Sequence, residues 1–387
     1  MRILLLAHAP SVHTQRWSRA LAARGHDLRL LSVERAPHAA APGEPIGWPG
    51  APWPFLRYAA ARAAVRRTIA EWRPDVTVAH FLPNYGFLAA LAGASPFVLV
   101  AWGSDLLVNA RRTPLHTARA RWVLRRAALV HVDAENLARA ARGLGAPPDR
   151  VWMRPWGVDT AGLAPATPWR ERFERGGSLR ILWTRMLEPL YDAGTFLRAL
   201  GRLRSAGVPY LATIAGDGPL RPALEAVSAS LGLADSVRFV GLVDEARLRA
   251  LYREHEIYVS MSRSDSTSQS LLEAMAAGLA TVASDIPGNE PWVLGRGEQG
   301  TPRAPAPRSG SGRARVGDAG ILVPCGDDEA LAERLVAIGG DHGTEARVAR
   351  GAERVRAEAD WSETVARFDE KLRALVGAAG GGGAGAR

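Results

Sequence analysis

The chain runs to 387 residues, long enough for two domains each with its own core, and its 47% hydrophobic and 23% charged residues exclude the disordered and fibrous classes. It carries 49 basic against 39 acidic residues, a net +10, and every basic residue except Lys371 is arginine. A single cysteine, Cys325, excludes an intramolecular disulfide framework and fits a reducing compartment, and no apolar run approaches the roughly 18 residues of a membrane-crossing helix.

The opening MRILLLAHAP has the positive charge, apolar core and A-H-A of a signal sequence. Its apolar run, Ile3 to Ala7, is shorter than the roughly 7 to 15 residues a signal needs, and an amphipathic stretch over 13–24 follows at once, so it reads as a first strand. Further short apolar runs follow at 27–33, 75–81, 97–102, 129–134 and 150–156, then at 179–185, 210–216, 237–241, 257–262, 280–286 and 320–324. The runs are continuous rather than alternating, which marks strands buried on both faces, and stretches with helical spacing such as 194–205 and 267–277 separate them. Two parallel-sheet α/β domains of Rossmann type are predicted, 1–165 and 178–345, with a Gly- and Pro-rich join near 157–178 and a cleft where the strands' carboxyl ends face each other. Segment 296–319, rich in Pro, Gly, Ser and Arg, is predicted as a disordered insertion, 346–376 as a terminal helix packing back towards the first domain, and 377–387 as a flexible tail.

The charge is unevenly spread. Residues 1–170 hold 22 arginines against 10 acids, a net +12, while 171–387 hold 27 basic and 29 acidic residues, a net −2. Segments 56–73 and 111–126 alternate arginine with apolar residues at helical spacing, with Arg57, Arg62, Arg66, Arg67 and Arg73 in one and Arg111, Arg112, Arg119, Arg121, Arg125 and Arg126 in the other. Two readings fit: solvated helix faces, or docking on an anionic membrane surface. No recognised motif and no basic-aromatic interleaving supports nucleic acid as a partner.

Polar residues collect where strands end. His8 and His13 follow the first strand, His80 ends the third, and Asn84 and Tyr85 follow it. His8 also suits a turn that caps the next helix. In 257–288, a strand ends near Ser262, a polar loop holds Asp265, and a helix begins at Thr267 or Ser268 with a hydroxyl to cap it. The amides of Ser268, Gln269 and Ser270 then face outward with the positive helix end behind them, which suits a phosphate or diphosphate, while Asp265 and Glu273 can accept hydrogen bonds from sugar hydroxyls. A capped surface helix with an ordinary glutamate fits the same residues. Gly216-x-Gly218 lacks the third glycine of a dinucleotide fingerprint. No His-Glu-x-x-His, Cys pair or Asp-x-Asp points to a metal, and no G-x-S-x-G elbow makes a nucleophile of the serines.

Segment 257–288 resembles the signature of the retaining GT-B glycosyltransferases of family 4, in which an acidic residue, seven others and a glutamate precede A-M-A-x-G; here these are Asp265, Glu273, Ala274, Met275, Ala276 and Gly278. IAGDGPLRPALEAVSASLGLADSVRFVGLV (214–243) is similar to the family's middle signature, WGVDTAGLAP (156–165) to its interdomain stretch, and 8–32 and 74–92 to its acceptor domain. The resemblance implies the GT-B fold, two Rossmann-like domains with parallel sheets facing a cleft. It implies a nucleotide-sugar donor in the second domain, with Glu273 on the ribose, Asp265 on the transferred sugar, Arg185 and the amides of 268–270 on the diphosphate, and Gly216 and Gly241 lining the donor. It places a glycan, lipid-linked or small-molecule acceptor on the first domain, near His13, His80, Asn84 and Asp105, and calls for no separate cofactor.

The chain departs from the family in three places. No lysine follows Arg185, where RMLEPLYDAG brings Leu190 and Tyr191; Trp102 stands in place of a histidine, followed by Gly103, Ser104 and Asp105; and GNEPW puts Glu290 and Pro291 where an Arg-Glu pair is common. The expected reaction is retaining transfer, in which the acceptor hydroxyl attacks on the face the diphosphate leaves. An epimerase or phosphorylase of the same fold, and a non-catalytic binding module, are the rival readings. The expected location is cytoplasmic, with peripheral docking at the inner face of the plasma membrane as the basic half's possible use.

Overall fold

The structure, a computed structural model, describes residues 1–34, 44–46, 54–295 and 314–381. It divides into two compact units, Met1–Pro155 with Glu363–Arg387, and Trp156–Ser362.

Among its described residues the first unit holds seven strands: β1 (Arg2–Leu6), β2 (Asp27–Ser32), β3 (Glu44–Pro45), β4 (Val76–His80), β5 (Phe97–Val100), β6 (Leu129–Val132) and β7 (Val151–Met153). They pair in the order β3-β2-β1-β4-β5-β6-β7, all parallel. The chain steps outward from β1 to β3 and returns beside β1 as β4, so the order reverses between β1 and β4, the place where open α/β sheets bind ligands. Each of β4 and β5 is buried along its whole length, which explains the unbroken apolar runs. Leu4, Leu6, Leu31, Leu99 and Val130 from the strands pack with Val65, Tyr85 and Val123 from the helical layer.

Helix Pro114–Arg126 starts at Thr113, whose hydroxyl accepts the His116 N–H, with proline at the first turn. It buries Ala120, Val123 and Leu124 and leaves Arg121, Arg125 and Arg126 exposed. Arg62, Arg66 and Arg67 are likewise exposed on helix Pro54–Trp72, opposite the buried Ala61 and Val65. These six arginines of the basic half therefore sit on exposed helix faces.

The second unit repeats the plan with β8 (Leu179–Trp183), β9 (Tyr210–Ile214), β10 (Val237–Phe239), β11 (Ile257–Ser260), β12 (Ala280–Ser284), β13 (Arg315–Val316) and β14 (Ile321–Val323), in the order β10-β9-β8-β11-β12-β14-β13. Among the described residues only the β13–β14 pair is antiparallel. The reversal falls between β8 and β11. One face of the sheet packs Trp183, Phe196, Ile214 and Val259; the other packs Tyr258 and Leu322 against Tyr252, Leu271, Leu272 and Met275.

All twelve predicted runs are strands, and the two-residue β3 and β13 are additional. β13 corrects the disordered insertion of 296–319. Residues 296–313 lie outside the described part, but Ala314 and Ala319 are buried and Arg315–Val316 pairs with Ile321–Leu322, because Arg315 finds two carboxylates, Asp285 and Glu290, each at 2.7 Å. The single helix predicted over 346–376 is two, Thr344–Glu358 and Trp361–Gly381. They part at Ala359–Asp360, where the Asp360 carboxylate accepts the N–H of Ser362 and the hydroxyl of Thr160, and the backbone bridges Val158. The second of them brings Phe368 against Trp17 and Asp369 to within 2.8 Å of buried His26. The predicted tail begins as its last turns, and residues 382–387 lie outside the described part. Among the described residues no helix is long and apolar enough to cross a membrane.

Candidate active site

Beyond the carboxyl ends of β8 and β11, the two strands at the reversal of the second sheet, the polar residues converge. Ser268 caps helix Gln269–Ala276 by accepting the Leu271 N–H at 3.3 Å. Arg185, two residues past β8, reaches this helix start. Its Nη1 donates to Ser268 Oγ at 2.9 Å and Ser270 Oγ at 3.1 Å, and its Nη2 donates to Asp265 Oδ2 at 2.6 Å. The Tyr191 ring lies under the guanidinium, 4.3 Å from the centroid.

The arginine is 12% exposed. Burial opposes its charge, but Asp265 and the nearby Tyr258 and Tyr191 outweigh it and raise the guanidinium above its ordinary value. Its backbone is fixed too. The Trp183 indole donates to the Arg185 carbonyl at 3.0 Å, and Gly216 after β9 passes so close that a Cβ there would lie 2.2 Å from that oxygen. Two donors at this helix start, Arg185 Nε and Gln269 Nε2, are buried without a hydrogen-bond partner. Such a group costs about 1–3 kcal/mol, so a site that leaves two of them is suited to an anionic ligand that accepts both.

Glu273 stands one turn further along the helix. Its Oε2 accepts the Tyr252 hydroxyl at 2.9 Å, and Tyr258 donates to Ser270 Oγ at 2.7 Å. Burial, then the carboxylate of Glu273, push Tyr252 well above its ordinary value, so it remains a donor. Arg185, Asp265, Ser268, Ser270, Gln269, Gly216 and Glu273 thus share one site. Gly241 does not join it: it lies past β10, two strands from β8, with a left-handed φ of +73° beside Arg221. Tyr191, Tyr252 and Tyr258 are the participants that sequence reasoning missed; two of them sit in apolar segments that read as core. The loop that lacks a lysine carries Tyr191 instead, and Arg263 binds the same loop, through its N–H to the Leu190 carbonyl at 2.8 Å and its guanidinium to Asp192 at 2.9 Å. Glu290, set apart as a departure, is engaged with Arg315.

The first sheet answers the prediction differently. His80, at the end of β4, is 2% exposed and packs edge-on to Trp102, with ring centroids 5.9 Å apart. Burial, with His131 and His13 nearby, pushes its imidazole down to about 3. Asp105 is wholly buried, and its carboxylate accepts the N–H groups of Leu82, Trp102 and Leu106 at 3.0 to 3.1 Å. These two predicted acceptor contacts are interior residues; Asp105 pins the turn Phe81–Gly86, which Phe81 enters at a strained φ of +70°. His13 is half-buried, edge-on to Trp102 at 5.6 Å, and Asn84 is half-buried within that turn. His8, at the end of β1, is half-exposed and bound to Glu34. Among the described residues no cluster of His, Cys, Asp or Glu is arranged to hold a metal ion.

Comparison with known proteins extends over both units. Residues 179–341 match the family described as glycosyl transferases group 1, and residues 2–134 match the family described as glycosyl transferase 4-like. The phosphatidyl-myo-inositol mannosyltransferase of Mycolicibacterium smegmatis is 28% identical, over 95% of this chain and 90% of its own length. The 2-deoxystreptamine glucosyltransferase of Streptomyces kanamyceticus is 31% identical, over 45% of this chain and 47% of its own length. Among solved structures, sucrose-phosphate synthase from Thermosynechococcus elongatus superimposes with a TM-score of 0.78 at 17% identity, covering 98% of this chain and 100% of that one.

Proposed function

From the premise that this chain belongs to the family 4 glycosyltransferases of the GT-B fold, and is a transferase, we propose that it moves a sugar from a nucleoside diphosphate sugar to a ring hydroxyl with retention of configuration. The observation that carries the donor half is Arg185, 12% exposed and held at a helix start by Asp265, Ser268 and Ser270, with its own Nε and the Gln269 Nε2 buried without a hydrogen-bond partner. The diphosphate takes up these donors together with the amides of 268–270, and in doing so competes with Asp265 for the guanidinium. Asp265 then accepts hydrogen bonds from the transferred sugar, and Glu273, oriented by Tyr252, accepts those of the ribose.

The acceptor hydroxyl attacks on the face from which the diphosphate departs, and a phosphate oxygen takes its proton. The protein's task is then to stabilise charge growing on the leaving diphosphate, which a buried, forked cation and helix amides do without reorganising. The names of the two curated relatives point to a cyclitol as acceptor. Exposed arginines on the helices at 54–72 and 114–126 suit docking on anionic lipid, where a lipid-linked acceptor would be found.

The test is a panel of nucleoside diphosphates and their sugars, scored by thermal midpoint and by product. A ligand of the folded state raises the midpoint. A rise in the natural chain that is lost in Arg185→Ala, with a new glycosidic bond in the product, supports the proposal. An epimer or a sugar phosphate as product would refute transfer.

A further inference from the structure

At the carboxyl edge of the first sheet, four side chains from three adjacent strands meet. His8 follows β1, Ser32 ends β2 with Glu34 just beyond, and Tyr85 lies in the turn after β4. Glu34 Oε2 accepts the Tyr85 hydroxyl and lies 3.2 Å from His8 Nδ1. The Tyr85 oxygen accepts the Val33 N–H at 3.1 Å and lies 3.2 Å from Ser32 Oγ, which accepts the N–H groups of Ala9 at 3.0 Å and Glu34 at 3.2 Å. The group is built from the inside outward: a tyrosine 2% exposed fixes the carboxylate, and the carboxylate fixes the imidazole.

Its outer ends reach solvent, with the His8 and Glu34 side chains 49% and 31% exposed. No other described residue bonds His8 Nε2 or Glu34 Oε1. In the neutral ring with Nδ1–H directed at the carboxylate, Nε2 keeps its lone pair, so among the described residues this edge presents two acceptors side by side and no donor. Such a pair takes the hydrogens of hydroxyl groups, and its negative charge repels phosphate. The hydrogen bond from His8, against the cost of burial, and then that from Tyr85 hold Glu34 at about 2, so it stays ionised in ordinary conditions.

We infer that His8 and Glu34 bind two neighbouring hydroxyls of a polyol ring, His8 Nε2 receiving the hydrogen of one and Glu34 Oε1 that of the other. The inference rests on the reading of the first unit as acceptor domain. It makes His8 and Glu34 acceptor-binding residues and Tyr85 a positioning residue that acts through Glu34.

The test uses the full chain and free myo-inositol at millimolar concentrations, followed by long-range 1H–15N NMR of the histidine rings, with the His8→Gln spectrum assigning His8. The expected result is an Nδ1–H tautomer at His8 and an Nε2 signal that moves on titration. Glu34→Gln weakens the apparent affinity about tenfold and Tyr85→Phe by less, the loss of hydrogen bonds to a charged and a positioning group. An Nε2–H tautomer, a His8 signal that ignores the polyol, or an unchanged affinity in Glu34→Gln overturns the inference. The nucleotide-induced rise in thermal midpoint is measured on the same samples. It confirms that each variant is folded, and its absence from the natural chain would sink the donor reading instead, whatever His8 does.

Discussion

The two sheets share one plan, the order reversing between β1 and β4 in one and between β8 and β11 in the other, yet they arm that reversal with opposite chemistry. The second sheet presents donors: the Arg185 guanidinium, whose Nε lacks a partner, a helix start, and the partnerless Nε2 of Gln269. The first presents acceptors, His8 and Glu34, above an interior of packed histidine and tryptophan. Net charge points the wrong way. The half with +12 carries arginines such as Arg66 and Arg125 on exposed helix faces, whereas the half with −2 places one arginine where an anion would be held. Where a charge sits, and how far it is screened, decides what it recognises.

The comparison breaks most directly at Arg185. Arg185→Ala is expected to lower turnover on a nucleotide sugar about 10²- to 10³-fold, the usual effect of removing one preorganised donor at a developing negative charge. Arg121→Ala and Arg125→Ala on the first unit are expected to leave it unchanged in the same steady-state assay. Equal losses from both would show that charge alone is at work.

Stability against pH tests the interior of the first sheet next. An unfolded chain protonates His80 near pH 6.5, but the folded chain keeps it neutral down to about 3, so stability is full above pH 6.5 and is lost as the pH falls towards 3. His131, pushed down to about 4 by burial, adds to the same trend. Between pH 7 and pH 5 the natural chain should lose about 2 kcal/mol for each, and His80→Asn should recover the His80 share. Urea unfolding followed by tryptophan fluorescence at both pH values measures this; an unchanged loss in the variant would show that the buried imidazole of the first sheet does not titrate as argued.

A smaller effect sharpens the donor side. Tyr252→Phe removes the hydroxyl that orients Glu273, and is expected to raise the donor KM several-fold while leaving kcat nearly intact, as the loss of one hydrogen bond worth about 1 kcal/mol would. A fall in kcat of the same size would move Glu273 from ribose binding into the chemical step. The smallest effect belongs to the basic faces. Arg121→Glu with Arg125→Glu should weaken sedimentation with anionic vesicles at low salt by about 1 kcal/mol per arginine, with no change in donor binding. Vesicle binding that is absent at every salt concentration would remove the membrane from the account.

Much of this was legible in the chain. Strands buried on both faces carry no polar alternation, so the continuous apolar runs marked all the long strands; two-residue strands such as Arg315–Val316 have no run to read, and their order depends on partners 25 to 30 residues away in sequence. The helix break at Ala359–Asp360 stayed hidden because Asp360 interrupts no apolar period; its role is set by Thr160 and Val158. At the site, the cap at Ser268 and the spacing of Asp265 and Glu273 are local features and could be read. Burial is not local. His80 and Asp105 look like polar strand-end residues, and it takes the packed sheet to show that one is enclosed and the other is spent on three backbone amides. Tyr252 and Tyr258 carry the converse lesson, since their rings read as core and their hydroxyls point to function.

The central claim is that Arg185 and its helix start hold a diphosphate while a sugar leaves it with its configuration kept. The most direct measurement is 1H NMR of the anomeric proton in product formed from an α-linked nucleoside diphosphate sugar and a cyclitol acceptor, with the natural chain and with Arg185→Ala. The account predicts an α-linked product from the natural chain and next to none from the variant. A β-linked product, or equal yields from the two chains, would contradict it.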